Sequence, residues 1–175
     1  RLPENYEQAC PCPLVFVQSG FGGGADVAKL IETRLPVVVA AIDFKLQKLS
    51  DLRKMTKSGQ LPASLINMAR KMQASLNWLK KSRYIDSKKL YVATVSFGTL
   101  SGLPVVSFRQ DIRGIFVIQA GGNLKRLAQS HISQLRHLNI GKKALAAAAR
   151  PFEPTLHAEY LSPAWLVLIA NKNDS

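Results

Sequence analysis

Five short apolar runs, set apart by glycine-rich turns and by stretches of helical period, constrain this chain more than any other feature. They are PLVFVQS (residues 13–19), PVVVAAIDF (36–44), KLYVATVS (89–96), IRGIFVIQAGG (112–122) and PAWLVLIANKNDS (163–175). The central part of each is apolar at consecutive positions, the pattern of a strand covered on both faces. Between them, ADVAKLIETRL (25–35) reads as a short amphipathic helix. Across residues 63–82, Leu65, Ala69, Met72, Leu76 and Leu79 recur at spacings of three and four, one face of a longer helix. Leu124, Leu127, Leu135 and Leu138 mark another, followed by an alanine-rich segment to Ala149. Strands alternating with helices predict an α/β fold, a mostly parallel sheet of about five strands with helices on both faces. No repeat or linker divides the chain, so residues 1–175 are expected to form a single domain.

In such a sheet, ligands gather just beyond the carboxyl ends of the strands. Those ends fall at residues 19–24, Asp43, Ser96, residues 121–123 and residues 171–174. At the third, Thr94-Val95-Ser96-Phe97-Gly98 matches Gly-x-Ser-x-Gly with one glycine replaced. A serine thrown out of a strained strand-to-helix turn needs small neighbours two residues either side, because the backbone packs tightly there. Gly98 meets that need. Thr94 is larger and β-branched, so the turn is expected to be looser on its side.

The run NWLKKSRYIDSKKLYVATVSFG (77–98) resembles the segment that leads into the nucleophile of α/β-hydrolases, without a gap over 22 residues. PLVFVQSGFGGG (13–24) is similar to that family's first strand and oxyanion loop, with Ser19 where a histidine is usual. SPAWLVLIANKNDS (162–175) is similar to the strand and loop that carry the triad acid. The resemblance implies that Ser96 is the nucleophile of a serine esterase-type acyl hydrolase and Asp174 the triad acid. The oxyanion donors would be the amides of Phe97 and Phe21, the latter in a loop with Gly20 and Gly22. An acyl-enzyme would form on an ester, thioester or amide, with no cofactor and with a small acyl compound as substrate.

The family's histidine follows one more strand beyond the acid, and this sequence stops at Ser175. The domain is therefore expected to be incomplete at its C-terminus and to lack the last strand. The open sheet edge left behind would offer a route to homo-oligomers. His131, His137 and His157 all precede the acid and read as structural or exposed. His157 is the first alternative as base. Pro104 is expected to shorten or kink the helix after Ser96.

Two other readings compete. Gly20-Phe21-Gly22-Gly23-Gly24-Ala25 fits G-x-G-x-x-A between a strand and a helix, with Asp43 ending the next strand. That is the arrangement of a Rossmann-type nicotinamide- or flavin-binding oxidoreductase. A hydrolase-like module without catalysis is the other.

Charge narrows the partners. The net charge is +13, and residues 45–90 hold twelve Lys or Arg against Asp51 and Asp86. Only Trp78 and Tyr84 interleave there as stacking partners, so the stretch reads as a solvated basic face and nucleic acid is not expected as a partner. Within it, Lys45, Lys48, Arg53, Lys54 and Lys57 face only Asp51, and residues 45–62 are expected to be an exposed connection. No run reaches the ~20 apolar residues of a membrane span. The runs at residues 35–42 and 164–170 have the length of buried strands. Cys10 and Cys12 form a lone C-x-C, too few ligands for a metal, and read as free thiols near a flexible terminus. No leader pattern is visible at the start, which opens on Arg1.

Overall fold

A computed structural model describes residues 2–3, 6–20, 23–31, 33–43, 49–119, 147, 149–161 and 164–169. The chain begins with α1 (Tyr6–Ala9) and β1 (Cys12–Gln18), then the four-residue α2 (Val27–Leu30) and β2 (Val38–Ala41). Helices α3 (Leu49–Lys57) and α4 (Leu61–Leu79) lead to the long strand β3 (Ile85–Val95). Helix α5 (Gly98–Ser107) and β4 (Ile112–Ile118) follow. Near the C-terminus, α6 (Pro154–Ala158) lies between two 3-10 turns and precedes β5 (Trp165–Ile169). All five strands are parallel, in the order β2-β1-β3-β4-β5.

Register explains why the strands are apolar on both faces. Leu14, Phe16 and Gln18 of β1 lie opposite Leu90, Val92 and Thr94 of β3, so these residues share one face of the sheet. There they pack with Met72, Leu76, Leu103 and Val106 from α4 and α5. Val15 and Val17 point the other way, into a smaller cluster with Ala28, Val39 and Ala93. Helix α4 buries Leu61, Leu65, Met68, Met72 and Leu76, the stripe that its three-and-four spacing dictates. Each such leucine contributes about 1.5–3 kcal/mol of transfer free energy. Helix α5 is enclosed nearly all round, from Gly98 to Val106, and so has no polar face.

Several expectations fail here for physical reasons. Residues 49–62 are not an irregular connection: α3 occupies Leu49–Lys57, α4 begins at Leu61, and Met55 packs beside Leu61, Leu65, Met68 and Leu100, while residues 45–48 lie outside the described residues. Leu49, Leu52 and Met55 at i, i+3 and i+6 were the helical signal, hidden by the lysine count. Cys12 is not in a flexible terminus. It opens β1 at 1% exposure, and its amide donates to the Tyr84 carbonyl at 2.9 Å. Burial, and then the neighbouring Cys10 thiol, push its own thiol up to about 11. The expectation for Pro104 does not fail: it lies inside α5, which ends three residues later at Ser107. The run at residues 164–170 forms β5, but all five of its residues are exposed, Trp165 at 83% and Leu168 at 71%. An apolar strand is buried only if elements cover it, and periodicity cannot say whether they do. Leu35, at 69% exposure, likewise lies outside β2. The helix predicted over residues 124–138 falls outside the described residues.

Candidate functional site

The connections leaving β1 and β3 run to opposite sides of the sheet, since β1 is followed by β2 on one flank and β3 by β4 on the other. A crevice opens where the winding direction reverses, and such a switch point is where open α/β sheets bind ligands. Two predicted segments meet there. An added Cβ at Gly20 would stand 3.0 Å from Cβ of Ser96 and 3.0 Å from the Val95 carbonyl. Glycine at position 20 is therefore what lets the loop after β1 lie against the turn after β3.

Ser96 is exposed and has φ of +50°. A non-glycine residue in this left-handed region costs about 1–3 kcal/mol and persists only where its surroundings over-determine it. Here they do. The Ser96 amide donates to the Ile118 carbonyl at 2.9 Å, and its carbonyl accepts from Thr99 at 3.1 Å. The turn is locked between β4 and the first turn of α5, with the hydroxyl-bearing residue facing solvent. Two positions on, a Cβ at Gly98 would fall against the carbonyl oxygens of Gln18 and Ser19, so the start of α5 lies directly on the end of β1.

On the other side, the turn is not loose at Thr94. Its side chain is fully buried, and its hydroxyl accepts a hydrogen bond from Thr99 Oγ1 at 3.2 Å. Its methyl fills the space over Gly102, where an added Cβ would come within 2.5 Å of Thr94 Cγ2. The room usually made by a small residue two before the serine is made instead one layer up, on the helix. Sequence spacing alone could not show this, because it depends on how α5 crosses β3.

The buried polar side chains among the described residues are Gln18, Ser19, Thr94, Thr99 and Ser101, and all lie on β1, β3, α5 or the loop beside this turn. Gln18 Nε2 donates to Ser101 Oγ at 3.0 Å, and Ser101 Oγ donates to the Gly98 carbonyl at 3.3 Å. Gln18 Oε1 is buried without a hydrogen-bond partner among the described residues. Leaving such an acceptor unmet costs about 1–3 kcal/mol. A signal for this cluster was present in the sequence. The core-facing rows Leu14-Phe16 and Leu90-Val92 both turn polar at their next members, Gln18 and Thr94.

The glycine loop after β1 is partly described. Ser19 Oγ donates to the Gly24 carbonyl at 3.2 Å, tying the loop back on itself. Gly24 has φ of +46° and lies against Asp43, whose Oδ1 would be 2.6 Å from an added Cβ. Phe97 is half-buried against Leu61, Leu65, Met68 and Leu100. Phe21, Gly22, Asp174, His131 and His137 lie outside the described residues. His157 is placed, and it is not at the turn. Its Nδ1 is 3.5 Å from Ser107 Oγ and its Nε2 3.0 Å from the Pro151 carbonyl, at the far end of α5. Ser96 and Ser107 are separated by the ten residues of α5, a rise of roughly 15 Å. The fallback assignment of His157 as base is therefore corrected.

The strand order is not that of a dinucleotide-binding half, although β2-β1-β3-β4-β5 is also an order in which open sheets bind a flavin mononucleotide. A mononucleotide-binding half in the order 3-2-1 puts its third strand beyond the second. Here the third strand pairs with β1 instead, and the helix after the glycines has only four residues. Among the described residues, no cluster of His, Cys, Asp or Glu could hold a metal, and no helix is long and apolar enough to cross a membrane.

Sheet order, strained serine turn and glycine loop together define an α/β-hydrolase-like fold. Comparison with solved structures agrees. The chain is similar to a glucuronoyl esterase from Sporotrichum thermophile, with a TM-score of 0.60 at 16% identity, over 99% of this chain and 53% of that one. It is also similar to a putative acetyl xylan esterase from Bacteroides fragilis, with a TM-score of 0.52 at 12% identity, over 99% and 62% of the two chains. An α/β hydrolase from Penicillium aligns with a TM-score of 0.51 at 12% identity, over 92% and 72%. The chain thus spans about half the length of the glucuronoyl esterase. No protein-family model matches the sequence, and a search of curated protein sequences finds no relative.

Proposed function

We propose that this chain carries the nucleophile half of a serine acyl hydrolase acting on carboxylic esters. The observation that supports the reading most directly is Ser96 itself. It is an exposed serine held at φ +50° between a central parallel strand and a buried helix, at the switch point and against Gly20. A strained, solvent-facing hydroxyl is of little structural use. Ser96 Oγ would attack the ester carbonyl, expelling the alcohol and leaving an acyl-enzyme that water cleaves. The amides of Phe97 and Phe21 would hold the developing oxyanion, each such donor being worth about 10²–10³ in rate. Asp174 would orient the histidine that takes the serine proton.

His157, the one histidine among the described residues, is held at Ser107 and Pro151 away from Ser96, so we expect slow reaction at Ser96, a general base being worth ~10²–10⁴ in rate. The test is reaction with a serine-directed fluorophosphonate beside a Ser96→Ala control. Slow labelling that maps to Ser96 and vanishes in the control is the expected result. Labelling at other serines only would sink the assignment.

A further inference from the structure

Among the described residues, buried polar side chains are concentrated beneath one turn, and one of them has an atom without a partner there. Along β1, Leu14 and Phe16 face the main core, and the next residue on that face is Gln18, fully buried. A methionine would fill nearly the same volume without a polar atom to satisfy. Instead Gln18 Nε2 holds Ser101 Oγ at 3.0 Å, Ser101 Oγ holds the Gly98 carbonyl at 3.3 Å, and Gln18 Oε1 goes unpartnered. The chain of bonds therefore runs from the strand that ends at the glycine loop to the residue two beyond Ser96. It joins the two halves of the crevice from below. Beside it, Thr94 and Thr99 form a second bond from β3 to α5.

We infer that Gln18 is a positioning residue for Ser96, acting through Ser101 and the Gly98 carbonyl to hold the first turn of α5 against β1. The role rests on the serine-hydrolase reading. It goes beyond it by assigning a buried residue that touches no substrate. Chemically, the Gly98 carbonyl shares one peptide plane with the Thr99 amide, which donates to the Ser96 carbonyl at 3.1 Å, so fixing the carbonyl fixes the bond that closes the turn. Displacement of a reacting group by about 1 Å can cost about 10²-fold in rate, so a small slackening here is enough to matter. A buried amide on a row that is otherwise apolar is the mark of a site that sacrifices stability for geometry.

That trade gives the test its sign. Gln18→Met removes the unmet acceptor and keeps the volume, so the urea midpoint should stay level or rise. Hydrogen exchange at the Thr99 and Leu100 amides, which close the turn onto Ser96 and Phe97, should quicken by roughly an order of magnitude. Fluorophosphonate labelling at Ser96 should slow by about 10²-fold. Because Gln18 acts through Ser101, the double variant Gln18→Met/Ser101→Ala should label no more slowly than Gln18→Met. Ser101→Ala alone leaves Gln18 Nε2 stranded and should lower the midpoint, which shows that the bond exists. Exchange at Thr99 and Leu100 that does not respond to Gln18→Met overturns the inference, whatever the labelling does. So does labelling at the parent rate. If exchange responds while the parent protein shows no Ser96 labelling at all, the positioning stands and it is the serine chemistry that falls.

Discussion

The crevice between β1 and β3 and the far edge at β5 are built on opposite terms. At the crevice, polar side chains are buried: Gln18, Thr94, Thr99 and Ser101 are each at most 1% exposed. At the edge, apolar side chains are exposed, from Val167 at 41% to Trp165 at 83%. Both invert the usual rule, and the two inversions differ in kind. The polar groups inside are mostly bonded to one another across three elements, so the arrangement is specific and closed. The apolar residues outside have β4 on one side, and β5 ends the sheet among the described residues. The first is a place where packing is over-determined, the second one where it is unfinished.

The comparison breaks most readily at Gly98. An added Cβ there meets backbone oxygens of Gln18 and Ser19, which cannot move without separating α5 from β1. Gly98→Ala should cost about 3 kcal/mol in urea denaturation, at the upper end for overpacking. A loss below ~1 kcal/mol would mean that the crevice floor is compliant, and the contrast with β5 would collapse.

A smaller effect, with a sharper sign, is expected one layer up. Gly102→Ala sets a methyl against Thr94 Cγ2 and should cost about 1–3 kcal/mol. Thr94→Ser removes that methyl and keeps the hydroxyl bonded to Thr99, at a cost near ~1 kcal/mol for a lost buried methyl. Together the two should recover most of the combined loss, because they exchange the same volume. Simple additivity in the double variant would show that Gly102 does not stand in for the glycine absent at position 94.

What was legible in the sequence follows the same division. The strands, the α4 stripe and the serine turn were readable because each rests on local periodicity or local backbone need, as with Leu65, Met72 and Gly98. The compensation between Thr94 and Gly102 was not, since it depends on where a helix crosses a strand. Nor was the exposure of β5, because WLVLI has the same composition whether or not another element covers it. Helix α3 was readable in principle from Leu49, Leu52 and Met55 but was outweighed by five basic residues. Gln18 left a trace, a polar residue ending an apolar row, that means little without the Ser101 contact.

The smallest stability change is expected at the edge, and it is informative because it is small. Leu168 is 71% exposed in β5, so Leu168→Lys should change the unfolding free energy in urea by no more than ~0.5 kcal/mol, as for other surface positions. A loss above ~1 kcal/mol would show that this strand is covered in solution and that it belongs with the core. Association is where the substitution should act. We propose that this edge pairs with a second copy of the chain, since β5 is the last strand of the sheet among the described residues and its apolar side chains are exposed, the template another strand needs. A lysine on an edge strand is the device by which natural sheets discourage such pairing. Sedimentation velocity across a concentration series should show the parent shifting toward a dimer at micromolar concentration and Leu168→Lys remaining monomeric. If the two proteins sediment alike at every concentration, β5 is not the associating edge. The crevice would then be the only place where this sheet's departures from ordinary burial have a consequence.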